Sequence, residues 1–243
     1  MADRQLTVSP LYYSFGQKLV GSTSNSLITV SNTGDSSDLI IGSLSGASAP
    51  FTLTDNSVSG ATIAHGDSST FNVRYAPTAV GALSRTISIP SNDTTYALRV
   101  DGTGVEQDIS VSPASYNFGT LNVGNTARTT FTLTNVGTAT LTMTTVTGAA
   151  APFSKVSDGV SGAVIHPSDS STVNFSFDPV VPGTFSNTII FNSDDTGTPA
   201  YTVGLYGTCV GGVPIEAGMS RSVVGNEIHD YISGGILTVH QGF

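Results

Sequence analysis

The sequence predicts an all-β chain that contains two tandem β-sandwiches followed by a short C-terminal β-rich segment. Three observations support this prediction: an internal repeat of about 100 residues, short runs in which apolar and polar residues alternate, and Gly, Pro, Asn or Asp at the ends of those runs. We expect sandwich 1 over residues 1–105, sandwich 2 over residues 106–210, and a docking or oligomerisation segment over residues 211–243.

The repeat extends over most of residues 6–209. The VSP of residues 8–10 recurs 103 positions later, at residues 111–113, and the APF of residues 49–51 recurs 102 positions later, at residues 151–153. The small change in spacing falls in Gly-, Pro- and Asp-rich stretches, where loops between fixed strands accept insertions. The two copies are therefore predicted to share one fold.

Within each copy, the alternating runs predict strands, because side chains two positions apart lie on the same face of a strand. About seven such strands in about 100 residues are typical of an immunoglobulin-like sandwich, and no helical stripe is visible in residues 1–210. The residues predicted to point into the two cores are Ile28, Val30, Phe71, Val73, Tyr75, Ile87, Ile89, Leu98 and Val100 in the first copy, and Phe131, Leu133, Val173, Phe175, Phe177, Ile189, Phe191, Val203 and Leu205 in the second.

Polar and glycine residues mark the predicted turns. The stretches 32–34 (NTG) and 135–137 (NVG) each end a strand with residues that tolerate positive φ and cap turns. Asn92-Asp93 and Asp194-Asp195 fall in the loop between the last two strands of each copy. Calcium can bind such loops, but the EF-hand pattern is absent, so solvated turn acids are the favoured interpretation.

Together these motifs resemble a known family. The VSP, the FG five residues after it, the N-x-G turn, the APF and a closing GT are similar to the ASH immunoglobulin-like domains, named for abnormal spindle and Hydin. Such domains also occur in bacterial cell-surface proteins of the choice-of-anchor D type and in phage structural proteins. The resemblance covers residues 6–209 and implies an immunoglobulin-like fold. It implies no catalysis, because the shared residues are turn and core positions.

Composition excludes several partners and locations. The formal net charge is -9 and no segment is basic, so nucleic acid is not expected as a partner. A single cysteine, Cys209, allows no intrachain disulfide, and no run is long and apolar enough for a membrane span. No apolar signal region precedes the first predicted strand, so we expect a product made in the host cytoplasm without a signal peptide.

No arrangement in the sequence indicates an enzyme. Neither a G-x-S-x-G elbow nor a Gly-rich phosphate loop between a strand and a helix occurs. Cys209 is predicted to be a small, partly buried thiol at a strand end. Glu227, His229 and Asp230 form the one compact metal-like cluster, and no second cluster at a suitable spacing supports it. We therefore expect no catalytic residue, no cofactor and no metal.

Residues 211–243 belong to neither copy and are too few to bury a core of their own. They either dock or oligomerise by adding strands to a partner, or they cap the second sandwich, and the sequence leaves both alternatives open. The residues expected to contact a partner are Val223, Val224, Ile228, Tyr231, Ile232, Ile236, Leu237, Val239 and Phe243.

The leading hypothesis for function is a structural component of a tailed-bacteriophage virion, displayed externally as a capsid decoration or a tail- or fibre-associated protein. Its partners would be other virion proteins or further copies of itself, without nucleic acid or membrane. The alternative is a bacterial cell-surface or scaffold adhesion protein, with glycan binding as a further role it could have. A glycan site would need an exposed aromatic patch; Tyr12, Tyr13, Tyr96 and Tyr201 are candidates, but core or strand-edge roles are favoured for them.

Overall fold

The structure is a computed structural model that describes residues 3–211, 219–224, 227–232 and 235–241. These residues form strands, turns and loops, and none of them is helical. The first copy contains β1 (Leu6–Ser9), β2 (Tyr12–Leu19), β3 (Ser24–Asn32), β4 (Leu39–Ile40), β5 (Phe51–Asp55), β6 (Thr62–Ile63), β7 (Ser68–Tyr75), β8 (Gly81–Pro90) and β9 (Thr95–Val105). The second contains β10 (Ile109–Ser112), β11 (Ser115–Asn122), β12 (Ala127–Asn135), β13 (Leu141–Thr147), β14 (Phe153–Asp158), β15 (Val164–Ile165), β16 (Ser170–Phe177), β17 (Gly183–Ser193) and β18 (Ala200–Val210). The C-terminal segment contains β19 (Met219–Val224), β20 (Glu227–Ile232) and β21 (Gly235–Gln241).

Each copy is built from two facing layers of strands. In the first copy, one sheet has the order β1-β3-β7-β5 and the other β2-β9-β8, with β4 and β6 paired separately. In the second, the orders are β10-β12-β16-β14 and β11-β18-β17-β13-β15. The pairs are antiparallel except for β2 with β9 and β11 with β18, which are parallel. The predicted all-β, immunoglobulin-like fold is confirmed. Each copy has nine strands where about seven were expected, because short two-residue strands such as β4 add to the main ones.

Every residue predicted to point into a core is buried, and each copy has its own hydrophobic cluster. The centre of each cluster is a stacked aromatic pair: Phe51 and Tyr75 have ring centroids 4.7 Å apart, and Phe153 and Phe177 have theirs 4.9 Å apart. Burying one such ring stabilises the folded state by roughly 1.5–3 kcal/mol. The apolar residues that alternate with polar ones in the sequence therefore fill the two cores.

The last strand of each copy has a glycine where it passes the buried ring. A Cβ at Gly102 would lie 2.6 Å from Cε1 of Tyr75, and a Cβ at Gly207 would lie 2.6 Å from Cε1 of Phe177. No side chain fits at such a distance, so these glycines leave room for the rings to pack against the sheet.

The two N-x-G turns are organised differently from the prediction. Neither Gly34 nor Gly137 has a positive φ, so that explanation for the glycines is wrong. Another segment of the chain instead passes too close for a side chain: a Cβ at Gly34 would lie 2.3 Å from Cα of Arg4, and one at Gly137 would lie 2.5 Å from the carbonyl oxygen of Glu106. The turn glycines therefore allow close approach of the segment that enters each copy.

A buried asparagine holds each of these turns together. Asn135 is fully buried; its Nδ2 donates to the carbonyl oxygens of Ala139 and Ile165, both at 2.8 Å, and its Oδ1 accepts from Gly137 N at 3.0 Å. Asn32 makes the equivalent bonds in the first copy. Each side chain thus replaces backbone partners that the loop lacks, which keeps buried polar groups paired.

The acidic loops are also structural. Asp195 is 3% exposed, and its carboxylate accepts hydrogen bonds from Gly197 N at 2.8 Å and Ile109 N at 3.3 Å, so its prediction as a solvated turn acid is wrong. Asp93 likewise accepts from Leu6 N at 2.9 Å. In each copy, the loop before the last strand therefore fastens the first strand to the sandwich.

Candidate functional site

The predicted partner-binding residues lie on a separate three-stranded antiparallel sheet with the order β19-β20-β21. Its register places Val223 opposite Ile228 and Met219 opposite Ile232. On the other side of β20, Ile228 lies opposite His240, and the register shifts by one residue between Asp230 and Tyr231. The segment expected to form strands therefore does so.

The register divides the predicted residues between two faces of this sheet. Directly opposed residues, and residues two apart along a strand, lie on the same face. One face carries Val223, Ile228 and Ile232, and the opposite face carries Val224, Tyr231, Ile236 and Val239. Leu237 lies at the register shift, and Phe243 lies outside the described residues. The sheet thus has apolar residues on both of its faces.

The residues of the metal-like cluster, Glu227, His229 and Asp230, all belong to strand β20, and the positions of their side chains lie outside what the structure describes. Elsewhere in the part of the chain that the structure describes, no group of three His, Cys, Asp or Glu side chains is close enough to hold a metal ion. The same part contains no helix long and apolar enough to cross a membrane.

Cys209 lies at the end of β18 and is buried, with only 3% of its surface exposed. Its Sγ is 3.7 Å from the carbonyl oxygen of Val210. A thiol in this setting packs as a small apolar group, and its neighbours on the strand are not bases.

A groove of about 610 Å³ runs along the loop between β13 and β14 and passes Lys155. The ammonium of Lys155 donates to the carbonyl oxygen of Val146 at 3.0 Å and to Oδ2 of Asp158 at 2.5 Å. Burial raises the pKa of Asp158, but hydrogen bonds from Lys155, from the side chain and backbone of Ser161 and from Val160 N lower it by more, so the pKa lies well below its usual range. This pair fastens the edge strand β14.

Of the four tyrosines that the sequence offers as candidates for a glycan site, three are half-buried and pack against the cores: Tyr13, Tyr96 and Tyr201. Tyr12 is 48% exposed, and its hydroxyl donates to Asp101. Tyr206, which is not among the candidates predicted from the sequence, is 47% exposed on β18. Strand parity was the signal that could have found it, because Leu205 points into the core and its neighbour must point outwards.

Comparison with protein-family models gives one match for each copy. Residues 5–97 match the family described as Abnormal spindle-like microcephaly-associated, ASPM-SPD-2-Hydin (ASH). Residues 107–208 match the family described as HYDIN/CFA65/VesB-like, Ig-like domain. No curated protein matches the chain significantly.

Several solved structures are similar to the chain. A protein of unknown function from Porphyromonas gingivalis W83 is 19% identical with a TM-score of 0.37, and the match covers 84% of this chain and 99% of that one. The Vibrio cholerae VesB protease is 21% identical with a TM-score of 0.35, covering 42% of this chain and 31% of the protease. The ASH/PapD-like domain 7 of human CEP192 is 18% identical with a TM-score of 0.34, covering 44% of this chain and 89% of that domain.

Proposed function

We propose that this chain, whose two copies are ASH/Hydin-type immunoglobulin-like domains, is a structural protein displayed on the outside of a tailed-bacteriophage virion. It would act through protein–protein contacts with capsid or tail proteins or with further copies of itself, and it would catalyse no reaction. The two sandwiches would serve as rigid modules, and the sheet β19-β20-β21 would attach them to the particle.

The distribution of apolar residues in the C-terminal sheet carries this proposal. An antiparallel sheet that is open to water on one side has apolar residues mainly on its covered side. Here Val223, Ile228 and Ile232 lie on one face, and Tyr231 and Ile236 lie on the other. A sheet of three strands has no second layer of its own, so the apolar residues on both faces must be buried against something outside the sheet. A surrounding assembly provides such cover on both sides.

The second candidate is a bacterial cell-surface or scaffold adhesion protein. It is favoured by the family itself, because ASH-type domains are found in surface proteins. The two candidates share the modules and differ in the structure that the C-terminal sheet would join.

A search for the polypeptide in purified phage particles by mass spectrometry separates these candidates. We expect it to be present at a fixed, stoichiometric copy number in particles from a lysate. Its recovery only from the cell-envelope fraction of the producing bacterium would contradict the virion proposal and support the second candidate.

The attachment role is tested by truncation. We expect the chain without residues 211–243 to lose co-sedimentation with particles that lack the endogenous protein, whereas the full chain binds them. A matched control is the full chain with Val164→Lys, because Val164 is 60% exposed on the second sandwich and far in sequence from the sheet. Equal binding by the truncated chain would show that the sandwiches, not the sheet, contact the particle.

A further inference from the structure

The outer face of the β11-β18-β17 layer in the second copy is a continuous surface without charge. Its positions alternate with those on the core-facing side of three neighbouring strands, and all of them are exposed or half-buried. They are Ser115, Asn117, Thr120 and Asn122 on β11; Thr202, Gly204, Tyr206, Thr208 and Val210 on β18; and Thr184, Ser186, Thr188, Ile190 and Asn192 on β17. Hydroxyl and amide groups therefore dominate this face.

Tyr206 lies in the middle of this surface. Its ring leans back along the strand over Gly204, where a Cβ would come within 2.6 Å of the tyrosine hydroxyl oxygen and 2.8 Å of Cε2. The glycine thus permits the ring to lie along the sheet, while 47% of the residue stays exposed. A ring in this position offers a ligand an apolar surface at the level of the sheet.

Neutral hydrogen-bonding groups flank the ring on both sides. Asn117 and Ser186 are the register partners of Tyr206, on β11 and β17. Asn117 Oδ1 accepts from Gly119 N at 2.9 Å, which orients the amide and leaves its two N–H donors out of that bond. Ser115 and Thr188 flank Gly204 in the same way.

We propose that this face binds an extended neutral polysaccharide, with Tyr206 packing against the C–H face of a sugar ring. A pyranose combines an apolar C–H face with hydroxyl groups that donate and accept hydrogen bonds, which matches an aromatic ring set among amides and hydroxyls. A sheet face about three strands wide and some nine residues long measures roughly 10 Å by 30 Å, which suits a chain of sugars rather than a single one. The formal charge of -9 disfavours an anionic ligand.

The equivalent face of the first copy provides the contrast. There Asp101 occupies the position of Tyr206, and Arg99 occupies that of Gly204. The exposed tyrosine of that face, Tyr12, donates to Asp101, and the guanidinium of Arg99 lies 5.9 Å from the centre of its ring. Charges therefore occupy the aromatic surface of the first copy, and only the second copy has a neutral face.

Affinity electrophoresis of the full chain tests the proposal, in native gels that contain dextran, galactomannan or xyloglucan. We expect at least one of these neutral polysaccharides to retard the chain. Tyr206→Ala should raise the dissociation constant derived from that retardation about tenfold or more, because one aromatic contact is lost. Asn117→Ala should raise it by a smaller factor.

The control variant is Tyr12→Ala, because Tyr12 is exposed to almost the same extent, 48%, on the equivalent face of the first copy. It should bind like the unmodified chain, and circular dichroism should show that all variants are folded. Absence of retardation by all three polysaccharides, equal losses for Tyr206→Ala and Tyr12→Ala, or binding only to the anionic polysaccharide alginate would each overturn the proposal.

Discussion

The two copies have the same architecture but differ in the size of many core residues, such as Ile28 and its equivalent Phe131. Both have the stacked aromatic pair, the glycine behind it, the buried asparagine and cis peptide bonds before equivalent prolines, at Pro10 and Pro50 and at Pro113 and Pro152. Two further differences are that Tyr75 of the first copy corresponds to Phe177 in the second, and that Gly104 corresponds to Cys209. One chain thus contains a natural pair of variants of one fold.

Comparison of the two copies indicates which contacts the fold requires. The shared asparagines hold backbone groups of their turns, and the shared glycines lie where a ring or a backbone passes too close for a side chain. The differing positions include core residues whose sizes change between the copies, and the strand-end position that is Gly104 in the first copy and Cys209 in the second. We therefore expect substitutions at the shared asparagines and glycines to be costly in either copy, and substitutions at Gly104 or Tyr75 to act differently from those at Cys209 or Phe177.

The largest effect is expected from removing the buried asparagine. Asn135→Ala leaves Gly137 N and the carbonyl oxygens of Ala139 and Ile165 without their side-chain partner. Each unpaired buried group costs about 1–3 kcal/mol, so the second copy should lose roughly 3 kcal/mol or more. Asn32→Ala should cost the first copy about as much. Calorimetry of the full chain, with hydrogen exchange to assign each transition to a copy, measures both.

The control for this prediction is Asn122→Ala, which removes an exposed asparagine from β11 and should change stability by less than about 0.5 kcal/mol. If Asn135→Ala lowers the free energy of unfolding by less than about 1 kcal/mol, the effect is no larger than that of one ordinary hydrogen bond. Water would then replace the amide, and the asparagine would not be required.

A smaller effect is expected where Gly104 and Cys209 differ. A Cβ at Gly104 would lie 2.1 Å from the carbonyl oxygen of Ala79, so Gly104→Ala must displace that loop and should destabilise the first copy by about 1–3 kcal/mol. The second copy already accommodates a side chain at this point, so Cys209→Ala should cost only about 1 kcal/mol, for the lost sulfur contacts. The same calorimetric measurement compares the two. Equal losses of stability for Gly104→Ala and Cys209→Ala would show that the loops beside these two positions do not differ in the way that the structure indicates.

The fold could be predicted from sequence because its main determinants are local and repeated. Alternation identified residues such as Ile28 and Phe131 as core positions, since the period of a strand alone decides which side chains turn inwards. The second copy served as an independent test of each pattern in the first.

The remaining features depend on contacts between distant segments. Asp195 bonds to Ile109 across 86 positions of sequence, and Gly34 is explained by the passage of Arg4, so turn chemistry alone gave the wrong reason for both. The neutral face around Tyr206 could not be predicted from sequence for the same reason. Strand parity locates Tyr206 on the outside, but only the sheet order shows that Asn117 and Ser186 flank it.

The smallest effect is expected from exchanging the differing aromatic residues. The hydroxyl of Tyr75 is buried, has no hydrogen-bond partner in the described part of the chain, and has a pKa raised by burial. The second copy has Phe177 at this position and the same ring stacking, so the hydroxyl adds a desolvation cost without a compensating bond. Tyr75→Phe should therefore stabilise the first copy by about 1 kcal/mol, and Phe177→Tyr should destabilise the second by at least as much. The midpoints of urea unfolding for the two variants measure this exchange. A destabilising Tyr75→Phe would mean that the hydroxyl is hydrogen-bonded in solution, and it would remove this position from the differences that distinguish the copies.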